Sequence, residues 1–102
     1  MSSEFVNELV ASKPVVVFSK TYCPYCTKAK VALDAVGAKY ELVELDKRED
    51  GKAIQSALAE ITGQSTVPNV FIGGTSIGGG NETAAMHKSG QLLTKVTAAG
   101  AL

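Results

Sequence analysis

The stretch Val15-Val16-Val17-Phe18-Ser19-Lys20-Thr21-Tyr22-Cys23-Pro24-Tyr25-Cys26 decides the fold. Pro14 closes what precedes it, and the unbroken apolar run Val15 to Phe18 predicts a strand buried on both faces, as at the centre of a sheet with helices on each side. Beyond it, Cys26, Ala29, Leu33 and Val36 fall on one helical face, with Pro24 just inside the start and Gly37 just past the end. Upstream, residues 3-12 place Phe5, Val6, Leu9 and Val10 at helical spacing. Downstream, Tyr40 to Leu45 reads as a strand, and Asp50 as the cap of a helix whose Ile54, Leu58 and Ile61 share one face before Gly63 stops it. Val67 to Ile72 makes a third strand, and Gly73-Gly74 turns it into a short fourth around Ser76-Ile77. Helices from Asn81 to about Ser89 and from Gln91 to Ala99 complete the chain. The expected architecture is a three-layer α/β fold, a four-stranded mixed sheet flanked by about five helices.

The length of 102 residues suits a single domain over residues 1-102, large enough to build a core without staples. Apolar residues at 45% and charged residues at 20% exclude collagen-like and disordered classes. Ten basic residues balance ten acidic ones, which leaves no net field to hold nucleic acid or an anionic membrane. No apolar run approaches the ~20 residues that span a bilayer, and no secretory signal opens the chain. The expectation is therefore a cytoplasmic protein, with an organelle left open because a removed transit peptide leaves no trace.

The two cysteines, Cys23 and Cys26, admit three readings. A structural disulfide would close so short a loop that it constrains the unfolded chain by only ~2 kcal/mol. A structural zinc would want a full ligand set, and the chain offers no second cysteine pair and a single histidine, His87. A redox dithiol fits best. With Pro24 first in the helix, Cys23 stands at the N-cap, where free amides and the helix dipole favour a thiolate nucleophile. Cys26 lies one turn deeper on the apolar face, shielded until it is needed to resolve a mixed disulfide. Lys20 adds a cation nearby.

Thr21-Tyr22-Cys23-Pro24-Tyr25-Cys26, Thr66-Val67-Pro68-Asn69-Val70-Phe71-Ile72 and Gly78-Gly79-Gly80-Asn81-Glu82, in that order, resemble the active site, the Thr-Val-Pro loop and the Gly-Gly turn of dithiol glutaredoxins. The resemblance covers nearly the whole chain and implies a thioredoxin-like fold. Thioredoxins themselves typically carry Trp before their cysteines, and this chain has none. The implied activity is glutathione-dependent thiol-disulfide exchange, acting on glutathionylated or disulfide-containing proteins, with glutathione as co-substrate, no metal, and a monomeric protein. The resemblance further implies that Lys20 and Gln55 hold the glycine carboxylate of glutathione, and that Pro68 is cis, so that the Val67 backbone beside Thr66 clasps the cysteinyl residue. Tyr25 would flank the bound thiol. Gly79, Gly80, Asn81 and Glu82 would receive the γ-glutamyl end, amides facing its carboxylate and an acid its amino group.

The chain departs from its relatives in that last turn. Gly80 stands where Cys, Asn or Ser is usual, and Asn81 replaces the first of two acids, although Asn can still cap the helix. The glycines from Gly73 to Gly80 lack the lysine and spacing of a phosphate loop, and His87 reads as a surface residue. One rival of a different class stands beside the enzyme: two chains bridging an iron-sulfur cluster through Cys23 and glutathione. Pro24 opposes it, since glutaredoxins of that kind tend to have Gly or Ser there, and brown colour after anaerobic purification would favour it.

Overall fold

Residues 2-102 are described by a computed structural model. Strand β1, Val15–Ser19, buries every one of its residues, as the unbroken apolar run requires. Its side chains alternate between two cores. Val15 and Val17 pack with Ala29, Ala32 and Leu33 of helix α2 (Pro24–Ala35) and with Leu92 and Val96 of the C-terminal helix Gln91–Ala99. Val16 and Phe18 pack on the other face with Val6 and Val10 of helix α1 (Ser2–Ser12) and with Ile54, Ala57 and Leu58 of helix α3 (Gly51–Thr62). Burying one such side chain contributes roughly 1.5–3 kcal/mol, so a strand packed on both sides is the most strongly held element of the sheet. Phe18 also meets Phe71 edge-to-face, ring centres 5.7 Å apart.

The sheet runs β2-β1-β3-β4, with β2 at Glu41–Glu44, β3 at Asn69–Ile72 and β4 at Thr75–Gly78. β1 pairs parallel to β2 and antiparallel to β3, and β3 pairs antiparallel to β4, so the expected mixed sheet and thioredoxin-like layering are present. Gly73 and Gly74, both with positive φ, make the tight turn between β3 and β4. Helices α4 (Gly80–Ser89) and α5 (Gln91–Ala99) close the chain.

Several sequence expectations shift at their edges. The strand expected over Tyr40 to Leu45 stops at Glu44, because Leu45 enters a 3-10 turn, Leu45–Lys47, that tucks its side chain into the core. Asp50 sits at the start of α3 without capping it, since its carboxylate is taken by the Arg48 guanidinium at 2.8 and 3.1 Å. Of the apolar face of α3, Ile54 and Leu58 are buried, whereas Ile61 in its last turn is exposed. Strand β3 begins at Asn69, leaving Val67 and Pro68 outside the ladder. Helix α4 starts at Gly80 with Gly79 as its N-cap, so Asn81 lies inside the first turn and is no cap.

The loop before β3 is fixed by a polar knot. The Thr62 hydroxyl donates to the Leu58 carbonyl at 2.8 Å and accepts from the Gln64 N–H and the Asn69 side chain, each at 3.1 Å. Asn69 is fully buried, and its carbonyl oxygen accepts from Ser76 at 2.7 Å, so its polar atoms are satisfied across α3, β3 and β4.

Gly51 is buried where α3 starts, and a Cβ on it would run into the Leu45 carbonyl. Gly51→Ala should cost ~1–3 kcal/mol by overpacking, read as a lower urea midpoint with an unchanged m-value.

Candidate active site

Cys23 is the N-cap of α2, in extended backbone, and its Sγ accepts the Cys26 N–H at 3.2 Å. Pro24 occupies the first helical position, where a missing N–H costs nothing. An amide donor and the positive end of a helix thus meet at one half-buried sulfur. On its other side the Cys23 thiol points at the Val67 carbonyl, 3.7 Å away. Cys26, one turn on, is fully buried and both cysteines are free. Burial pushes the Cys26 thiol up, reinforced by its hydrogen bond with Cys23, against a smaller opposing effect from Ser19 and the Lys20 backbone. The two sulfurs therefore occupy different environments, Cys23 half-buried between one amide donor and one carbonyl, Cys26 in the core with its thiol held protonated.

The Cys23 turn is held from a distance. Cys23 N–H donates to the Lys20 carbonyl at 3.2 Å, and between them Thr21 binds Asp46 twice, N–H to Oδ1 at 3.0 Å and hydroxyl to Oδ2. The Thr21 hydroxyl, above all, holds the Asp46 carboxyl below the usual range.

A groove of about 470 Å³ runs beside the sulfur, within the size range of small-molecule sites. Tyr25, Thr66, Val67, Pro68, Gly79, Gly80, Asn81 and Glu82, all singled out from the sequence, line it together. The Val67–Pro68 peptide is cis, as the resemblance implied. Helix α4 comes in so close that a Cβ on Gly80 would strike the Tyr25 carbonyl, an approach the missing side chain permits in this chain. Lys20 and Gln55 do not line this groove. They share a second cavity of about 480 Å³ with Tyr22, Asp46 and Lys52, and one Gln55 amide proton is already given to the Ser65 carbonyl at 2.7 Å. Tyr22 and Tyr25 are 71% and 55% exposed, leaving an open aromatic rim around Cys23.

The turn that departs from the family pattern has its own wiring. Glu82 reaches back to accept the Gly79 N–H at 2.7 Å, and the Thr83 hydroxyl donates to the Gly79 carbonyl at 2.8 Å. The Asn81 carbonyl oxygen accepts from the Lys28 ammonium at 2.9 Å, so the residue replacing an acid is occupied by a cation from α2.

Sequence reasoning missed four contributors: Lys28, Asp46, Thr62 and Gln64. All act through side-chain hydrogen bonds to partners that neither helical nor strand periodicity brings into view. Among the described residues, no cluster of three or more His, Cys, Asp or Glu is placed to hold a metal ion, and no helix is long and apolar enough to cross a membrane.

The family model named Glutaredoxin matches residues 15–77, most of the sheet together with the cysteine pair and the Thr-Val-Pro loop. The chain belongs to the glutaredoxin family. It is 61% identical over 102 residues to a glutaredoxin of Ricinus communis, covering both chains completely. It is 55% identical over 102 residues to "Glutaredoxin-C4, chloroplastic" of Oryza sativa subsp. japonica, covering this chain completely and 77% of that one. Among solved structures, the buckwheat glutaredoxin-glutathione complex superposes with a TM-score of 0.96 at 50% identity, covering 100% of this chain and 93% of that one. The thioredoxin-like fold of the family is thus the fold of this chain.

Two outcomes follow for this glutaredoxin. The lowered folded-state value of Asp46 means that its contribution to stability is fully present above the unfolded value of ~3.9 and is lost as pH falls through the lower folded value. Asp46→Asn should flatten that acid-side decline, read from thermal midpoints between about pH 6 and about pH 2. Asn81→Asp should convert the Lys28 contact into an exposed ion pair worth ~0.2–1 kcal/mol, measured by a double-mutant cycle with Lys28→Met and abolished by high salt.

Proposed function

We propose that the protein is a glutathione-dependent thiol-disulfide oxidoreductase, with Cys23 as nucleophile and Cys26 as resolving thiol. What supports this above all is the double engagement of Cys23 Sγ, accepting the first-turn amide of α2 while facing the Val67 carbonyl at the lip of a peptide-sized groove. The amide stabilises the sulfur anion, which attacks one sulfur of a protein-glutathione disulfide. The Cys23–glutathione bond forms as the original S–S bond breaks, and the reduced protein leaves as its thiolate and takes up a proton. A second glutathione thiolate then attacks the adduct, leaving as oxidised glutathione and restoring the Cys23 thiolate. In the dithiol route Cys26 gives up its proton and attacks Cys23 Sγ instead, expelling the bound thiolate and leaving a Cys23–Cys26 disulfide that two glutathiones reduce. The core position of Cys26 suits this order, because it stays protonated until a disulfide sulfur stands next to it.

The groove offers complementary chemistry to glutathione. Once Cys23 is ionised its S–H no longer occupies the Val67 carbonyl, which then accepts the cysteinyl N–H of the tripeptide in the manner of an added strand. The amides opening α4 face the γ-glutamyl carboxylate, with the Lys28 ammonium beside them, and Glu82 meets the amino group. Lys20, with Gln55, supplies donors for the glycine carboxylate from the second cavity. Tyr25 walls the bound thiol and, with Tyr22, leaves the approach open to protein substrates. That the buckwheat relative was solved as a glutathione complex supports the same ligand here. The protein works as a monomer and as one domain, and requires a compartment where glutathione is kept reduced, the cytoplasm first, with a plastid as the setting named for the rice relative.

The roles of the two sulfurs are separable. Cys23→Ser should abolish every thiol transfer, whereas Cys26→Ser should keep glutathione-dependent reduction of a small glutathione mixed disulfide and lose reduction through the dithiol route. Steady-state assays on both substrate types check this, and equal inactivity of the two variants on the mixed disulfide would overturn the assignment. Iodoacetamide should modify Cys23 first in the reduced protein, mapped by mass spectrometry.

A further inference from the structure

We infer that Gln64 is a positioning residue for thiol-ligand recognition, an inference that rests on the oxidoreductase reading and adds a residue to it. Gln64 follows Gly63 in the turn between α3 and β3, with nothing in its sequence surroundings to mark it. Its side-chain Nε2 donates to the Thr66 carbonyl at 2.9 Å and to the Pro68 carbonyl at 2.8 Å. Both protons of one planar amide are thereby committed to carbonyls on either side of Val67. The backbone of Gln64 is itself anchored, its N–H held by the Thr62 hydroxyl that also receives the buried Asn69 side chain. The brace thus has a rigid footing at the end of α3 and at the first residue of β3.

The brace also forms part of the groove wall. Gln64 lines the cavity beside Cys23, and a Cβ on Gly79 would sit 3.9 Å from Nε2 and 3.4 Å from the Pro68 carbonyl. Its effect falls on Val67. With the Thr66 and Pro68 carbonyls tied back to Gln64, the carbonyl left facing the Cys23 sulfur is that of Val67. A ligand backbone arriving at the sulfur then meets a single acceptor in a fixed plane, with no neighbouring carbonyl competing for its N–H. Loss of the two donors would release those carbonyls into the groove and let the Val67 peptide turn, harming recognition while leaving the Cys26 amide on Cys23 untouched.

Two full-length variants test this. Gln64→Glu keeps the shape and sets a carboxylate against two carbonyls, and Gln64→Met keeps the length without any donor. Steady-state reduction of a glutathionylated peptide should show KM raised about tenfold or more in both, as expected for two lost hydrogen bonds, with kcat within about twofold of wild type. The iodoacetamide rate at Cys23 should not change. In the free protein, backbone 15N order parameters of Thr66 and Val67 should fall from the rigid range near ~0.85 toward ~0.6, while those of β1 hold. An unchanged KM in both variants overturns the proposal, as does a loss of kcat and of Cys23 alkylation in step with KM, which marks general damage to the site. If wild-type protein fails to turn over glutathione at all, the oxidoreductase reading falls, and the order parameters still decide whether Gln64 braces Val67.

Discussion

Val15 to Ser19 are packed between two cores, and from that constraint the rest of the site takes its coordinates. A strand buried on both faces cannot slip by one residue without exchanging which side chains meet α2 and which meet α3, so its register is strongly specified. Its C-terminal end therefore delivers Lys20 to Cys23 to a fixed place, where α2 begins and where β3, paired antiparallel to β1, starts with Asn69 opposite Phe18. Cys23 and Val67, far apart in the chain, meet because both flank this strand pair at the same end.

Local structure then places two identical side chains in different environments. Cys23 and Cys26 are separated by one helical turn, yet one sits before the first helical residue with an amide aimed at it, and the other lies in the core behind it. Burial opposes charge on Cys26, whereas Cys23 Sγ sits at the N-terminus of α2 and accepts its first-turn amide. The division needs no special residue beyond Pro24, which starts the helix there, and Ala29 and Leu33, which turn the face carrying Cys26 inward.

The groove, by contrast, is assembled by side chains working on backbone. Thr62 and Gln64 hold the loop before β3, Glu82 and Thr83 hold the turn before α4, and Asp46 holds the turn before Cys23. Each ties down particular amides and carbonyls of the backbone around the groove. At the α4 end, Asn81 meets the Lys28 ammonium without a charge to cancel it. A cation therefore remains beside the helix N-terminus, adding to its preference for a carboxylate.

Much of this was legible in the linear sequence. The apolar run at Val15, the Pro24 and Gly37 brackets and the turn glycines follow from residue-level physics, and they led to the mixed sheet and to a helix that starts at Pro24 with Cys23 as its cap and Cys26 on its inner face. The resemblance carried by three short motifs named the groove residues, and the structure brings eight of them to one cavity. What sequence reading mislaid were ends and partners: Asp50 paired with Arg48 instead of capping, Asn81 bound Lys28 within a helix started by Gly79, and Gln64 went unnoticed. Periodicity and capping propensity report what a residue does to its own element, and these the sequence by itself determined. Which distant carbonyl an amide finds, or which cation reaches an amide oxygen, depends on how packed elements approach one another in space, and only the tertiary structure decided that.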